Sequence, residues 1–208
     1  MIFCMQIKVL HENQTEPTLY TPSEFQQAMG IQYISQLEFQ TPDLQSKITR
    51  RCAKALGKNL FGIRQKWLGT YHEKAILAGS MPDLSIYWAN SNLGYGVFPN
   101  QNLPKNSLVG EYTGIVRKRR RFSDRKNNYC FEYAIGDDPF CHYVIDAEKK
   151  SNLIRFVNHS NQPNCEPVAV LAGGLVHIVL VTLIDIPKGT PLTYDYGETY
   201  WKNRKAAL

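Results

Sequence analysis

From residue 84 onward the chain is cut by Gly, Pro and Asn into short apolar runs: LSIYWA, GYGVF, SLVGEYTGIV, NYCFEYAI, HYVIDA, HIVLVTLIDI and PLTYDYG. β-Branched and aromatic residues dominate these runs, and no helical period of apolar positions separates them. Strand-type segments bounded by turn residues, without helices between them, predict a β-rich domain. The texture changes at Met81-Pro82-Asp83, and before that point it is helical. Thr21-Pro22-Ser23-Glu24 and Thr41-Pro42-Asp43 each open a helix with a capping hydroxyl and a Pro in the first turn. After the second opening Leu44, Ile48, Cys52 and Leu56 recur on one face, and Gly57 closes the helix. A third pattern, Leu60, Ile63, Trp67, Tyr71 and Ile76 before Gly79, predicts another amphipathic helix packed by that stripe. One short strand is expected within Ile2 to Leu10. The division is residues 1–82, a mainly helical N-terminal region; 83–200, the β-rich domain; and 201–208, a tail.

At 208 residues with 43% hydrophobic content the chain buries a real core. Its formal charge of +6 and pI near 9.0 favour acidic surfaces in general without naming a partner. Cys4, Cys52, Cys130, Cys141 and Cys165 form an odd set without CxxC spacing, which argues against a disulfide scaffold or a four-cysteine zinc site. They read as free thiols of an intracellular protein. No apolar run approaches the roughly 20 residues that span a bilayer, so no membrane partner is expected. The first residues lack a small-residue cleavage site for a signal peptide. The basic run Arg117 to Arg121 is a solvated loop, a nuclear-address-like run, or a grip on nucleic acid or an acidic protein.

Three features carry chemistry. The stretch RFVNHSNQPNC, Arg155 to Cys165, is too rich in Asn and Pro to continue a helix or strand, yet apolar Leu153, Ile154, Phe156 and Val157 lead into it. A polar loop anchored in a core is a good place to bind something. Its Asn158-His159 pair is either a set of backbone caps or a ligand site. Gly94 and Gly96 flank Tyr95: either an ordinary glycine turn, or a place where backbone approaches a ligand with no Cβ in the way. A third glycine and a following helix are missing, so this is a poor dinucleotide loop. Tyr194 and Tyr196 share one face of a strand, as a half-buried aromatic pair or as rings that hold an ammonium group.

Taken in order, these stretches resemble the SET domain of protein lysine methyltransferases. The matching segments are SNLGYGVF with LPK and GEYTG; Tyr129-Cys130-Phe131 leading to YVIDA; RFVNHSNQPNC; and IPKG followed by LTYDYG. The resemblance implies a β-rich SET fold, small sheets with a C-terminal pseudoknot that sets Asn158 beside Tyr196. It implies S-adenosyl-L-methionine-dependent methylation of a protein lysine, with a histone or histone-like protein among the candidates. Gly94, Tyr95, Gly96, Asn158 and His159 then hold the cofactor, with Trp201 stacked over it. Tyr196 is the catalytic tyrosine, with Tyr129 and Tyr194 walling the lysine tunnel. Relatives carry Phe or Tyr at the position of Tyr194, and its hydroxyl implies mono- or dimethylation. No metal is implied.

The flanking zinc-cysteine clusters of many relatives are missing, so Tyr200 or Trp201 of the tail must cover the adenine or the tunnel, unless they merely pack on the domain. Small size resembles the compact bacterial, chlamydial type, which implies a bacterial effector, cytoplasmic or delivered to a host nucleus. The N-terminal helices serve as a homodimer surface or as a cap on the β domain. The rival reading is a basic SET-like module that binds chromatin or DNA with little turnover. A Cys-His hydrolase built from Cys130 or Cys165 with His159 lacks any nucleophile elbow.

Overall fold

The computed structural model describes residues 5–120, 122–136 and 142–201. Strands β1 (Ile7–Leu10) and β2 (Thr18–Tyr20) pair antiparallel, and helix α1 (Pro22–Met29) follows. The Glu24 amide donates to Thr21 Oγ1 while the Glu24 carboxylate accepts from the Thr21 amide. That reciprocal pair satisfies donors which a helix start leaves open, and fixes α1 where the sequence places it. Short strands β3 (Gln32–Tyr33) and β4 (Glu38–Phe39) precede helix α2 (Pro42–Gly57), whose N-terminus is capped by Thr41 Oγ1 accepting from the Leu44 amide. α2 buries Leu44, Ile48, Cys52 and Ala55.

Helix α3 (Ile63–Leu77) corrects the sequence reading. Three residues of its supposed core stripe face outward, Ile63 85% exposed, Trp67 58% and Tyr71 69%, and only Ile76 of the stripe within the helix is buried. The buried face is Leu68, Gly69 and Ile76, laid on a strand of the second half. Gly69 decides this orientation. A Cβ there would sit 2.1 Å from the Leu171 carbonyl oxygen, so only glycine lets the helix backbone come so close to the strand.

The second half supplies β5 (Leu84–Asn90), β6 (Gly94–Pro99), β7 (Leu108–Glu111), β8 (Ile115–Lys118), β9 (Cys130–Glu132), β10 (Tyr143–Asp146) and β11 (Lys150–Ser151). A 3-10 turn, Leu153–Phe156, leads to β12 (Asn158–His159), then the long hairpin β13 (Cys165–Ala172) and β14 (Leu175–Thr182), β15 (Thr193–Tyr194) and a last short helix α4 (Glu198–Trp201). The larger sheets run β2-β1-β5-β6, β4-β8-β10-β9 and β13-β14-β7, and the pairs β11-β3 and β12-β15 stand apart. These are the small sheets expected of the fold. The N-terminal region adds strands to them, since β1 runs parallel beside β5, β3 beside β11 and β4 beside β8. One core therefore joins Phe25, Ile48 and Cys52 to Val97, Tyr133, Ile145 and Leu180. Among the described residues no helix is long and apolar enough to cross a membrane.

The basic run is not a uniform patch. Arg117 lies buried in β8, with Nη2 2.6 Å from Asp124 Oδ1 and Nε 2.8 Å from Asp146 Oδ2. It is committed inside the fold and unavailable to nucleic acid. Two carboxylates compensate the buried charge that would otherwise be prohibitive. Arg119 pairs with Glu132 at 2.8 Å, Lys118 and Arg120 are exposed, and Arg121 lies outside the described residues, as do Cys4, Cys141 and residues 202–208.

Candidate active site

The polar loop is built from caps, and the caps bring distant segments together. β12 pairs parallel with β15, setting Asn158 beside Thr193 and His159 beside Tyr194. Asn164 staples the loop to the same segment: its Nδ2 donates to the Pro191 carbonyl and its Oδ1 accepts from the Thr193 amide, each at 2.8 Å. His159 Nδ1 accepts from the Tyr196 amide at 3.2 Å, so the ring proton sits on Nε2 and is donated to Asn161 Oδ1 at 3.1 Å. The juxtaposition of Asn158 with the Tyr196 segment, which the pseudoknot requires, is present.

On the other side of Asn158 lies the glycine turn. Asn158 Nδ2 donates to the Tyr95 carbonyl at 3.1 Å. A Cβ on Gly96 would press within 3.3 Å of that same nitrogen, which explains the second glycine by contact. Gly94 holds φ +70°, a left-handed conformation that glycine adopts freely, and the space beside it is open. The Asn158 Oδ1 makes no hydrogen bond among the described residues. An open left-handed glycine beside an uncommitted amide oxygen fits a small ligand bearing an ammonium or hydroxyl group.

Val157 leads to the second half of the site. The Tyr196 hydroxyl donates to the Val157 carbonyl at 2.9 Å. Its ring lies 4.7 Å from Tyr194, 4.7 Å from Tyr200 and 5.4 Å from His159, and is nearly parallel to Trp201 at 6.1 Å. Tyr194 continues to Phe131 at 6.2 Å, and Phe131 to Tyr112 at 5.1 Å. The Tyr112 hydroxyl donates to the Tyr129 carbonyl at 3.1 Å, and the Arg155 guanidinium lies 3.7 Å over the Tyr129 ring. The result is a continuous wall of aromatic rings. Burial, then the neighbouring hydroxyls of Tyr200 and Tyr129, pushes the Tyr196 phenol up. Burial does the same to Tyr194 and Tyr112. These phenols stay protonated, so they act through hydrogen bonds and π-faces rather than as bases.

The structure thus gathers Gly94, Tyr95, Gly96, Asn158 and His159 on one side and Tyr194, Tyr196 and Trp201 on the other, with Tyr129 joined through Tyr112. Trp201 meets His159 at 4.9 Å, so the tail helix lies against the loop. Tyr112 and Phe131 were not singled out in the sequence. Tyr112 sits within GEYTG between two glycines, and only its packing reveals it.

Comparison with known proteins agrees with this geometry. A family model described as SET domain matches residues 94–197. The histone-lysine N-methyltransferase, H3 lysine-4 specific, of Schizosaccharomyces pombe is 39% identical over 105 residues, 49% of this chain and 11% of that protein. Human histone-lysine N-methyltransferase 2B is 38% identical over 109 residues, 50% of this chain and 4% of that protein. The chain therefore spans only a small part of the length of these relatives. Among solved structures, ATXR5 in complex with histone H3.1 mono-methylated on R26 superposes with a TM-score of 0.59 at 20% identity, covering 85% of each chain. A ctPRC2 structure in an autoinhibited conformation bound to S-adenosylmethionine gives 0.51 at 23% identity, covering 60% of this chain and 16% of that one. At such identities the superpositions speak for the fold.

Proposed function

Because the chain belongs to the SET-domain family, we propose that it methylates a lysine side chain of a protein with S-adenosyl-L-methionine as methyl donor. One observation carries this reading: Val157 and Asn158, adjacent in sequence, hold the Tyr196 hydroxyl and the glycine turn respectively. A donor site and an aromatic channel thereby share one short rigid segment. Gly94, Tyr95, Gly96, Asn158 and His159 would hold the cofactor, with Trp201 against them. When bound, the cofactor supplies an electrophilic methyl group on a sulfonium.

The nucleophile has to be a neutral amine, and free lysine has a pKa of about 10.4. A dry channel walled by Tyr112, Phe131, Tyr194 and Tyr196 disfavours the ammonium form, as burial does for any cation. The ring faces attract the ammonium form as it enters, and the hydroxyls hold the neutral amine by hydrogen bonds. Tyr196 commits its proton to the Val157 carbonyl, which leaves its oxygen lone pairs free to accept from the reacting end of the substrate. The contribution of the protein is then alignment in a water-poor space.

Four finer readings accompany this. The Tyr194 ring is buried and its hydroxyl makes no hydrogen bond among the described residues; the hydroxyl occupies room and offers a partner to the amine, which supports mono- or dimethylation. A histone or histone-like substrate is supported by the names of the relatives. A homodimer through the N-terminal helices is supported by the exposed Ile63, Trp67 and Tyr71 stripe of α3, and any nucleic-acid contact of the basic run falls to its members other than the buried Arg117. Calorimetric titration with S-adenosyl-L-methionine, then mass spectrometry of histones incubated with both, tests the main reading. Cofactor binding with methylated lysine is expected. Binding without product points to the docking-module reading, and no binding overturns the proposal.

A further inference from the structure

Outside the residues matched by the family model, the N-terminal region reaches the glycine turn through His11. His11 follows β1, and the register of β1 on β5, Leu10 beside Tyr87, delivers it to the level of Trp88, whose partner on β6 is Tyr95. There His11 Nδ1 lies 2.7 Å from the Tyr95 hydroxyl and Nε2 lies 2.8 Å from the Tyr20 hydroxyl. One ring nitrogen donates and the other accepts, and either tautomer satisfies both phenols. Both rings also meet the imidazole edge-on, Tyr20 at 5.8 Å and Tyr95 at 5.9 Å. Trp88 and Phe156 pack on further edges of Tyr95, at 5.1 and 6.2 Å. The Tyr95 side chain is thus gripped while its own carbonyl accepts from Asn158.

From this we infer that His11 and Tyr20 form a clamp, contributed by the N-terminal region, that sets the position of the cofactor-holding turn through Tyr95. His11 is a positioning residue: it touches Tyr95 rather than the ligand. The inference rests on the reading that Gly94 to Gly96 hold the cofactor. Its physical basis is preorganisation, since a turn held in the bound conformation loses less freedom when the ligand arrives. It also gives the N-terminal region a role in cofactor binding that the helices alone do not suggest.

The test is cofactor affinity of the full chain by calorimetry, with a double-mutant cycle. His11→Ala removes the bonds to both phenols, and loss of the one that holds Tyr95 predicts that S-adenosyl-L-methionine binding weakens roughly three- to tenfold. KM for the cofactor should rise while kcat at saturating cofactor stays near wild type. Tyr95→Phe should weaken binding by as much or less, and the double variant should be no weaker than His11→Ala, because Tyr95→Phe breaks a hydrogen bond that His11→Ala has already removed. His11→Gln, which keeps a donor and an acceptor, should recover part of the loss. Matched thermal midpoints show that the variants are folded. Wild-type affinity in His11→Ala, effects that multiply in the double variant, or a fall in kcat with unchanged cofactor KM overturns the clamp. If the wild-type chain itself binds no cofactor, the reading of the glycine turn falls first and the clamp with it.

Discussion

Replacing Tyr196 by Phe removes one oxygen and leaves every ring contact of the site in place. That hydroxyl donates to the carbonyl of Val157, a residue with no exposed surface. The carbonyl loses its side-chain donor, which costs about 1 kcal/mol of stability. For a chain of this size the thermal midpoint should fall by about 2–4 °C, too little to unfold it. The effect on turnover should be far larger. Removing a single preorganised hydrogen-bonding group at a reacting centre typically costs about 10²–10³ in rate. Asn158 and the glycine turn are untouched, so cofactor affinity should stay near wild type. The assay is transfer of radiolabelled methyl to a histone mixture at saturating cofactor, with calorimetry and thermal melting on the same preparations. Turnover within about tenfold of wild type, equivalent to no more than about 1.4 kcal/mol of barrier, would refute the assignment of Tyr196. A loss of cofactor binding equal to the loss of rate would move the residue from the channel to the cofactor side.

Further perturbations test other parts of the structure. On the proposed reading Tyr194→Phe removes a hydroxyl from the amine's surroundings, and the product mixture should shift toward trimethyllysine by mass spectrometry; an unchanged product ratio counts against a role for that hydroxyl. Gly69→Ala places a Cβ 2.1 Å from the Leu171 carbonyl oxygen. On an exposed helix face this change would stabilise by about 0.5–1 kcal/mol, whereas here overpacking should cost about 1–3 kcal/mol or more, read as a lower urea midpoint. A stabilised variant would show that α3 does not dock as described. Burial raises the Glu111 carboxyl above its ordinary value of 4.5, opposed by the His177 hydrogen bond at 2.6 Å. A raised value means that the stability it contributes is complete below pH 4.5 and fades as pH climbs through the folded-state value. Glu111→Gln, permanently neutral, should therefore gain on the wild type as pH rises above 4.5 in urea titrations; parallel curves would count against the shift.

Much of this was legible in the chain because it was local. Turn residues cut the second half into strands, and the Thr21 and Thr41 caps open α1 and α2 where a hydroxyl precedes a proline. The glycine turn, the Asn158 loop and the paired tyrosines were recognisable as an ordered set, although their meeting depends on β12 pairing with β15. What failed depended on contacts between segments far apart. The apolar stripe of α3 was read as its core face because periodicity cannot see that β13 approaches at Gly69. Arg117 stands among basic neighbours in the sequence, but Asp146 comes beside it only when β8 and β10 pair, and Asp124 only when the turn after β8 folds back on it. Nothing in the sequence joined His11 to Tyr95.

The loop that binds both halves of the site is itself held from below. Asn152 Nδ2 donates to the Glu111 carbonyl and its amide donates to Thr113 Oγ1, each at 2.8 Å, in a fully buried setting. Its Oδ1 accepts from the Ile154 amide and starts the 3-10 turn. That turn buries Leu153, Ile154, Arg155 and Phe156 before the backbone emerges at Val157 and Asn158. A methyl transfer needs donor and acceptor aligned within about 0.5 Å, which requires first contacts held by locked neighbours. Asn152 and the buried turn supply that support. The polar loop beyond Asn158 consists mostly of caps, and its value lies in fixing the direction in which those two residues leave the core. Weakening Asn152 should accordingly loosen cofactor affinity and turnover together, whereas Tyr196→Phe separates them.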